Sequence, residues 1–460
     1  MTLGVLVLAA GQGTRMKSSI PKALHTAAGQ SLLHWILNTT TAVEAGETVV
    51  VVGDEAEAVI EALPSGVGHV VQDPQIGTGD AVRVGLEGIS DAVTEVLVVP
   101  VDMPLLSAET LEAVLDAHRG SSNAATILSA VMSNPSGYGR VVRDGEAVAA
   151  IVEDADAGTD QLAINEVNTS VYAFDREPVT SVLARLDNDN AQGEYYLTDV
   201  VGLLAGEGQG VGAVRTDEAE AIGVNSHAQL AIAAAELRRR INERLMEDGV
   251  AMVDPDRVYI DAGVTVAVGA RLYPDVYLEG ATTVGPGAVV GPNVHATDTA
   301  IGEGATVRWA VLDRASVGSR AMVGPFTHLR PDAELGERTK AGAFVEIKNS
   351  VVGTGSKVPH LSYVGDADIG EGSNIGAGTV TVNYDGFKKS RTKIGDRVRI
   401  GSDTMLVAPV EIGDDAYTGA GSVITEDVAP GSLAIERSSQ QEIEGYAERR
   451  KRRAAEEADS

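Results

Sequence analysis

Apolar residues in the first 228 positions come in short runs set between amphipathic stretches. Leu3–Leu8, Thr48–Val52 and Val96–Val99 are unbroken β-branched or aliphatic runs, the texture of strands buried on both faces. Ser31–Glu44, Asp80–Glu87 and Ala108–His118 lie between such runs and read as helices. The alternation predicts an α/β arrangement with a mainly parallel sheet. Over 229–250 the texture changes. Leu230, Ala234, Leu237, Ile241 and Leu245 recur at spacings of four and three, one stripe on one long connecting helix. Arg238, Arg239, Arg240 and Arg244 flank that stripe and are expected to face solvent.

From residue 251 the period becomes six. Val266, Leu272, Leu278, Val284 and Val290 are evenly spaced, then Val311, Val317, Val323, Leu329, Leu335, Ala341 and Ile347. Ile394, Ile400, Leu406, Ile412 and Ile424 repeat the step, with Thr418 in the missing slot. Six fits neither a helix nor a half-buried strand. It fits a parallel β-helix in which each hexapeptide forms one short strand and one corner. Glycine often follows the aliphatic, as in Val317-Gly318 and Ile400-Gly401, and is expected to relieve crowding at corners. The frame slips between 290 and 311 and between 375 and 394, where loops are expected to leave the coil. By pattern alone this half could equally be an oligomerisation stalk. The mixed-charge tail Glu448–Asp459 is expected to be solvated.

Composition narrows the chemistry. Of 460 residues, 36 are Lys or Arg and 66 Asp or Glu, a net charge of −30. That argues against nucleic acid or an anionic membrane as main partner, while leaving room for a local basic pocket. The absence of cysteine excludes disulfides, thiolate metal sites and thiol nucleophiles. Leu3–Ala10 lacks the basic start of a targeting segment, and no run reaches the ~18 apolar residues of a spanning helix. A soluble cytoplasmic protein is the expectation.

Leu8-Ala9-Ala10-Gly11-Gln12-Gly13-Thr14-Arg15-Met16 follows the first strand, and Pro21-Lys22-Ala23-Leu24 comes soon after. Small residues let backbone approach a ligand, and Arg15 and Lys22 place two cations beside the loop, suited to a triphosphate and departing pyrophosphate. The block resembles the sugar-1-phosphate nucleotidyltransferases. Gln72, Gly77-Thr78-Gly79, Asp102-Met103-Pro104-Leu105, Gly137-Tyr138-Gly139-Arg140, Glu153, Asn168 and Gly193-Glu194-Tyr195-Tyr196-Leu197-Thr198-Asp199 extend the match. With the hexapeptides, residues 3–445 resemble the bacterial bifunctional family of N-acetylglucosamine-1-phosphate uridyltransferase and glucosamine-1-phosphate N-acetyltransferase.

The resemblance implies a Rossmann-like nucleotidyltransferase domain over 1–228. A linker helix over 229–250 and a left-handed parallel β-helix acetyltransferase domain with a C-terminal tail over 251–460 would follow. Leu8, Ala9, Ala10, Gly11, Gln72, Gly77 and Thr78 would hold the uridine nucleotide, and Lys22 with Arg15 its phosphates. Gly139, Glu153 and Asn168 would hold the sugar. Asp102 and Asn225 would bind Mg2+, which suits an oxygen ligand at the carboxyl end of a strand. Pro100-Val101 stands where the family often has Tyr-Gly.

In the second half, the resemblance makes His360 the general base for acetyl transfer. Arg330, Lys348, Tyr363 and Asn374 would bind glucosamine-1-phosphate. Ala377, Asn383, Tyr384, Ser402, Ala420 and Arg437 would line the acetyl-CoA site, and Lys389 would reach a neighbouring subunit's substrate. The substrates would be glucosamine-1-phosphate, acetyl-CoA and UTP, the assembly a homotrimer, and the product UDP-N-acetylglucosamine, which feeds peptidoglycan and related polysaccharides. A single-activity nucleotidyltransferase with an inert β-helix, and a non-catalytic assembly subunit, are the competing readings.

Overall fold

A computed structural model describes residues 2–458 apart from 12 and 55, so Gln12 and Asp459 lie outside the described residues. The chain divides into two compact units, Met1–Ile241 and Asn242–Ser460.

The first unit is built on strands β1 (Leu3–Ala9), β2 (Glu47–Val52), β3 (Gly68–Val71), β4 (Glu95–Pro100), β5 (Asn123–Val131), β6 (Glu166–Asp175) and β7 (Gly210–Thr216). They lie in the order β7-β5-β6-β4-β1-β2-β3. β1 runs parallel to β2 and β4, whereas β6 runs antiparallel to β4 and β5. Side chains alternate across a strand. Thus Val5 and Val7 join one core cluster and Leu6 another, which is why β1 reads as an unbroken apolar run. The expected helices appear as Leu32–Thr41, Thr78–Glu87 and Ala108–Arg119. Ser31 and Ser107 cap two of them, each accepting from a backbone N–H at 3.2 Å.

The long helix runs His227–Glu247, and its first half is no free linker. Ala233 and Leu237 are buried with Ala27, Leu32, Leu105 and Val224 of the first unit. Arg240 departs from the expected solvated face, donating from Nη1 to the Leu105 carbonyl at 2.7 Å.

In the second unit three parallel sheets wind as a left-handed β-helix. Val276 lies beside Val294, 18 residues on; Val294 beside Ala310, 16 on; and Ala310 beside Thr327, 17 on. The first frame slip is therefore not a loop but a set of shortened steps. Ile301, Val307 and Leu312 fill the inward slots, while Val311, assigned inward by the six-residue count, is 48% exposed. The second slip is a true insertion, because Ala367 lies beside Thr392, 25 residues on.

The glycines relieve crowding at the corners as expected, and the crowding comes from the neighbouring coil. Several corner residues take positive φ without being glycine, among them Trp309, Phe326 and Phe344. At Gly318, by contrast, a Cβ would lie 2.6 Å from the backbone of Gly336 in the next coil. Close approach of successive coils, more than backbone strain, demands glycine there. The tail forms the helix Tyr446–Ala458, exposed throughout its described side chains.

Candidate functional site

The carboxyl ends of β1 and β4 open into a cleft of about 540 Å³ lined by Leu8, Ala10, Gly11, Arg15, Lys22 and Asp102, among others. Leu8 pairs with Pro100, and the Val101 N–H donates to the Leu8 carbonyl at 3.0 Å. Val101 is buried and Pro100 half-buried, and both line the cleft. Gly13 has φ +60, and a Cβ on it would stand 2.9 Å from the Lys22 Cβ. The glycine therefore serves both the left-handed turn and the close passage of Lys22. Gly11 has open space where its Cβ would be, room a ligand can take.

Lys22 is the centre of the polar network. Its Nζ pairs with Asp102 Oδ2 and donates to Asn225 Oδ1 at 2.7 Å. Arg15 Nη2 donates to the same Asn225 oxygen at 2.9 Å. The Val224 N–H donates to the Asp102 carbonyl at 2.8 Å, fastening the two distant segments together. Two oxygen ligands thus converge on one cation, here an ammonium. A hard divalent cation wants the same donors, so the residues fit such an ion.

Behind the cleft, Glu153 accepts from the Thr198 hydroxyl at 3.0 Å. Burial pushes its carboxyl above the ordinary range, against that hydrogen bond. Asn168 is buried and donates to the Tyr172 hydroxyl at 2.7 Å, and its N–H donates to the Gly139 carbonyl at 2.9 Å. Gly77, with φ +122, begins the helix Thr78–Glu87, where a Cβ would lie 2.5 Å from the Tyr195 carbonyl oxygen. The Gly79 N–H donates to that carbonyl at 2.8 Å, and the Leu197 N–H to the Thr78 hydroxyl at 3.1 Å. The two glycine- and tyrosine-rich motifs are stapled together.

The second site lies on the β-helix. Backbone pairing aligns Lys357 with Asn374, Asn374 with Arg399, and Arg399 with Tyr417. Three residues further on in each coil stand His360, Ala377, Ser402 and Ala420, which therefore form one column. The Gly378 N–H donates to the His360 carbonyl at 3.2 Å, and Arg437 Nη1 donates to the Ala420 carbonyl at 2.9 Å. The His360 side chain is exposed, and among the described residues no hydrogen bond to its ring is formed.

Across the corner from His360, Leu329 pairs with Ile347, which places Arg330 beside Lys348. Arg330 Nη1 donates to Glu346 Oε1 at 2.8 Å. The inserted segment closes as a hairpin, with Tyr384 bridging Lys389 and the Ser390 N–H donating to the Asn383 carbonyl at 2.9 Å. It sets Lys389 beside Lys348 of the same chain. A hydrogen bond with Lys348, then repulsion from its charge, pushes the Lys389 ammonium below its ordinary value, while Asp366 pulls the other way. Burial raises the Asp366 carboxyl, but hydrogen bonds from Asn349 and Asn383 and the charges of Lys348 and Lys389 outweigh it and hold it low. Arg330, Lys348 and Lys389 make a cationic cluster short of negative charge.

Comparison with known proteins places this geometry. Residues 5–193 match the family of the MobA-like NTP transferase domain, and residues 391–426 match the bacterial transferase hexapeptide, six repeats. The bifunctional protein GlmU of Mycolicibacterium vanbaalenii is 50% identical over 457 residues, covering 97% of this chain and 93% of the relative. That of Streptomyces avermitilis is 49% identical over 454 residues, covering 97% and 94%. The one from Mycobacterium tuberculosis is 47% identical, covering 97% and 92%. The chain belongs to the GlmU family. As a GlmU-family member it is a bifunctional enzyme of UDP-N-acetylglucosamine synthesis, a nucleotidyltransferase and an N-acetyltransferase in one polypeptide. Its nucleotidyl transfer depends on a divalent metal.

Of the expected first-site residues, Leu8, Ala10, Gly11, Arg15, Lys22, Gln72, Gly77, Thr78, Asp102, Glu153 and Asn225 line the cleft. Ala9, Gly139 and Asn168 stand outside its lining. Sequence reasoning missed Gln75, Ser170 and Tyr172, which also line it. Gln75 signals nothing by spacing, and Tyr172 sits in an apolar strand where it reads as core. On the β-helix Asn383 is buried and its amide is taken by Asp366, so it shapes the hairpin more than it presents a side chain. Tyr384 is exposed.

Proposed function

We propose that the cleft performs uridylyl transfer from UTP to N-acetylglucosamine-1-phosphate with Asp102 and Asn225 as ligands of Mg2+. The convergence of Lys22, Asp102 and Asn225 carries this reading. When bound, the metal supplies positive charge to the α-phosphate as negative charge shifts during transfer. Lys22, released from Asp102, and Arg15 hold the triphosphate in line. Leu8, Ala9, Ala10, Gly11, Gln72, Gly77 and Thr78 enclose the nucleoside. Glu153, with Gly139 and Asn168 behind it, orients the sugar. A phosphate oxygen of the sugar attacks the α-phosphorus, the α–β bond breaks, and pyrophosphate leaves.

On the β-helix, Arg330, Lys348 and Lys389 neutralise the phosphate of glucosamine-1-phosphate, with Tyr363 and Asn374 beside it. Acetyl-CoA lies along the column Ala377, Ser402 and Ala420, reaching Tyr384 and Arg437, with Asn383 shaping the hairpin. The sugar amine attacks the thioester carbonyl, His360 takes its proton, and the carbon–sulfur bond breaks to release CoA. The decisive assay supplies glucosamine-1-phosphate, acetyl-CoA, UTP and Mg2+. Free CoA, pyrophosphate and UDP-N-acetylglucosamine are the expected products; CoA release that never occurs would leave the β-helix as a stalk.

The exposed corner ladder supports a homotrimer. Trp309, Phe326, Phe344 and Leu361 stand on successive coils, each more than two-fifths exposed, with ring centroids 5.5 and 5.1 Å apart. Such a patch asks for cover. Phe326→Glu with Phe344→Glu is expected to shift the protein to monomers in sedimentation, reduce acetyl transfer and leave uridylyl transfer intact. A mutant that sediments as the parent does overturns this interface. No helix among the described residues is long and apolar enough to cross a membrane; we place the enzyme in the cytoplasm, where UTP and acetyl-CoA are made.

The two halves should work apart, but not when cut at 228. Removing 229–241 strips Ala233 and Leu237 from the first unit. Burial of one large aliphatic is worth ~1.5–3 kcal/mol against a domain stability of ~5–15. A fragment ending at 241 is therefore expected to melt several degrees above one ending at 228 and to keep uridylyl transfer. Equal melting would show the helix adds nothing.

A further inference from the structure

The Gln72 amide has one permitted orientation. Gln72 is 2% exposed, at the end of β3, and its N–H donates to the Val52 carbonyl at 2.8 Å. Nε2 lies 2.9 Å from the Gly77 carbonyl and 2.9 Å from Asp80 Oδ2. Both partners only accept, so the nitrogen must face them; a turned amide would set oxygen against oxygen twice. Among the described residues no hydrogen bond ends on Gln72 Oε1.

Asp80 is itself fixed. It sits in the first turn of the helix Thr78–Glu87, 7% exposed. Its Oδ1 accepts from Arg83 Nε at 3.0 Å and Nη2 at 2.5 Å. One carboxylate oxygen therefore serves Arg83 and the other serves Gln72.

We infer that Asp80, anchored by Arg83, is a specificity-determining positioning residue that locks Gln72 with its carbonyl toward the nucleobase. The cleft then reads a ring N–H donor, as uracil offers, and rejects a ring nitrogen acceptor, as cytosine offers. This rests on the cleft being the UTP site. A site built to hydrogen-bond a donor rejects the analogue lacking it strongly, because a buried polar group is left unpaired.

The test is the ratio of kcat/KM for UTP over CTP. In Asp80→Asn, Arg83 still demands an oxygen, so the new NH2 faces Gln72 Nε2 and the Gln72 amide must turn or lose its partner. The ratio is expected to fall at least ~10-fold. In Asp80→Asn with Arg83→Leu, the amide at position 80 is free to turn its oxygen to Gln72, and the preference for UTP should return. A thermal melt of a fragment ending at 241 that carries each substitution reports that the first unit is folded. An unchanged ratio in Asp80→Asn, or an equal fall for both nucleotides with no recovery in the double variant, overturns the inference. A parent enzyme that does not turn over UTP overturns the reading of the cleft itself.

Discussion

Replacing His360 by alanine is expected to reduce CoA release from acetyl-CoA and glucosamine-1-phosphate by ~100-fold or more, the usual scale for losing a general base. An amine held as ammonium cannot attack a thioester, so a base must stand within reach of that nitrogen. The alternatives nearby are poor. Glu346 has an oxygen engaged by Arg330, and the Asp366 carboxyl is held below its ordinary range by Asn349, Asn383 and two lysines, despite burial. A carboxylate so stabilised is a weak base. His360 is the only histidine after Leu329, and its ring is exposed. Uridylyl transfer from supplied N-acetylglucosamine-1-phosphate should be unchanged. Acetyl-CoA binding, measured calorimetrically, should persist, since its proposed contacts at Ala377, Ser402 and Ala420 remain. Acetylation at the parent rate would remove His360 from the role of base.

Asp102→Ala should produce the mirror image. UTP-dependent pyrophosphate release is expected to fall by at least ~10²-fold, because on the proposed reading the carboxylate that would hold the metal at the phosphates is lost. The mutant also leaves the Lys22 ammonium, 12% exposed in its side chain, with the Asn225 amide oxygen as its hydrogen-bond acceptor. A half-buried cation without its counter-charge is costly, so some loss of stability in the first unit should accompany the kinetic defect. Acetyl transfer should stay near the parent rate. Equal loss of both activities would point instead to global misfolding, which a thermal melt would reveal.

Much of this was legible in the residues themselves. Strands buried on both faces must be apolar throughout, so β1, β2 and β4 were visible as runs. A β-helix must fill one inward slot per strand, so its six-residue rhythm survives in the composition of each coil. Motif chemistry was legible for the same reason: a loop that admits phosphate needs small residues and cations, and Gly11, Gly13, Arg15 and Lys22 supply both. The rest was decided between distant segments. Whether a coil steps by five or six depends on how its corner packs on the next coil, so Leu312 rather than Val311 fills the core. The helix stripe could not say which core it would join, nor that Arg240 would satisfy a carbonyl 135 positions away. Lys389 met Lys348 only because a hairpin closed over Asp366. Local composition determines which elements form, since their periods and turns are properties of short segments. Tertiary structure alone decides which atoms face each other, since a hydrogen bond such as that from Lys22 to Asn225 spans 203 positions and leaves no mark on either segment by itself.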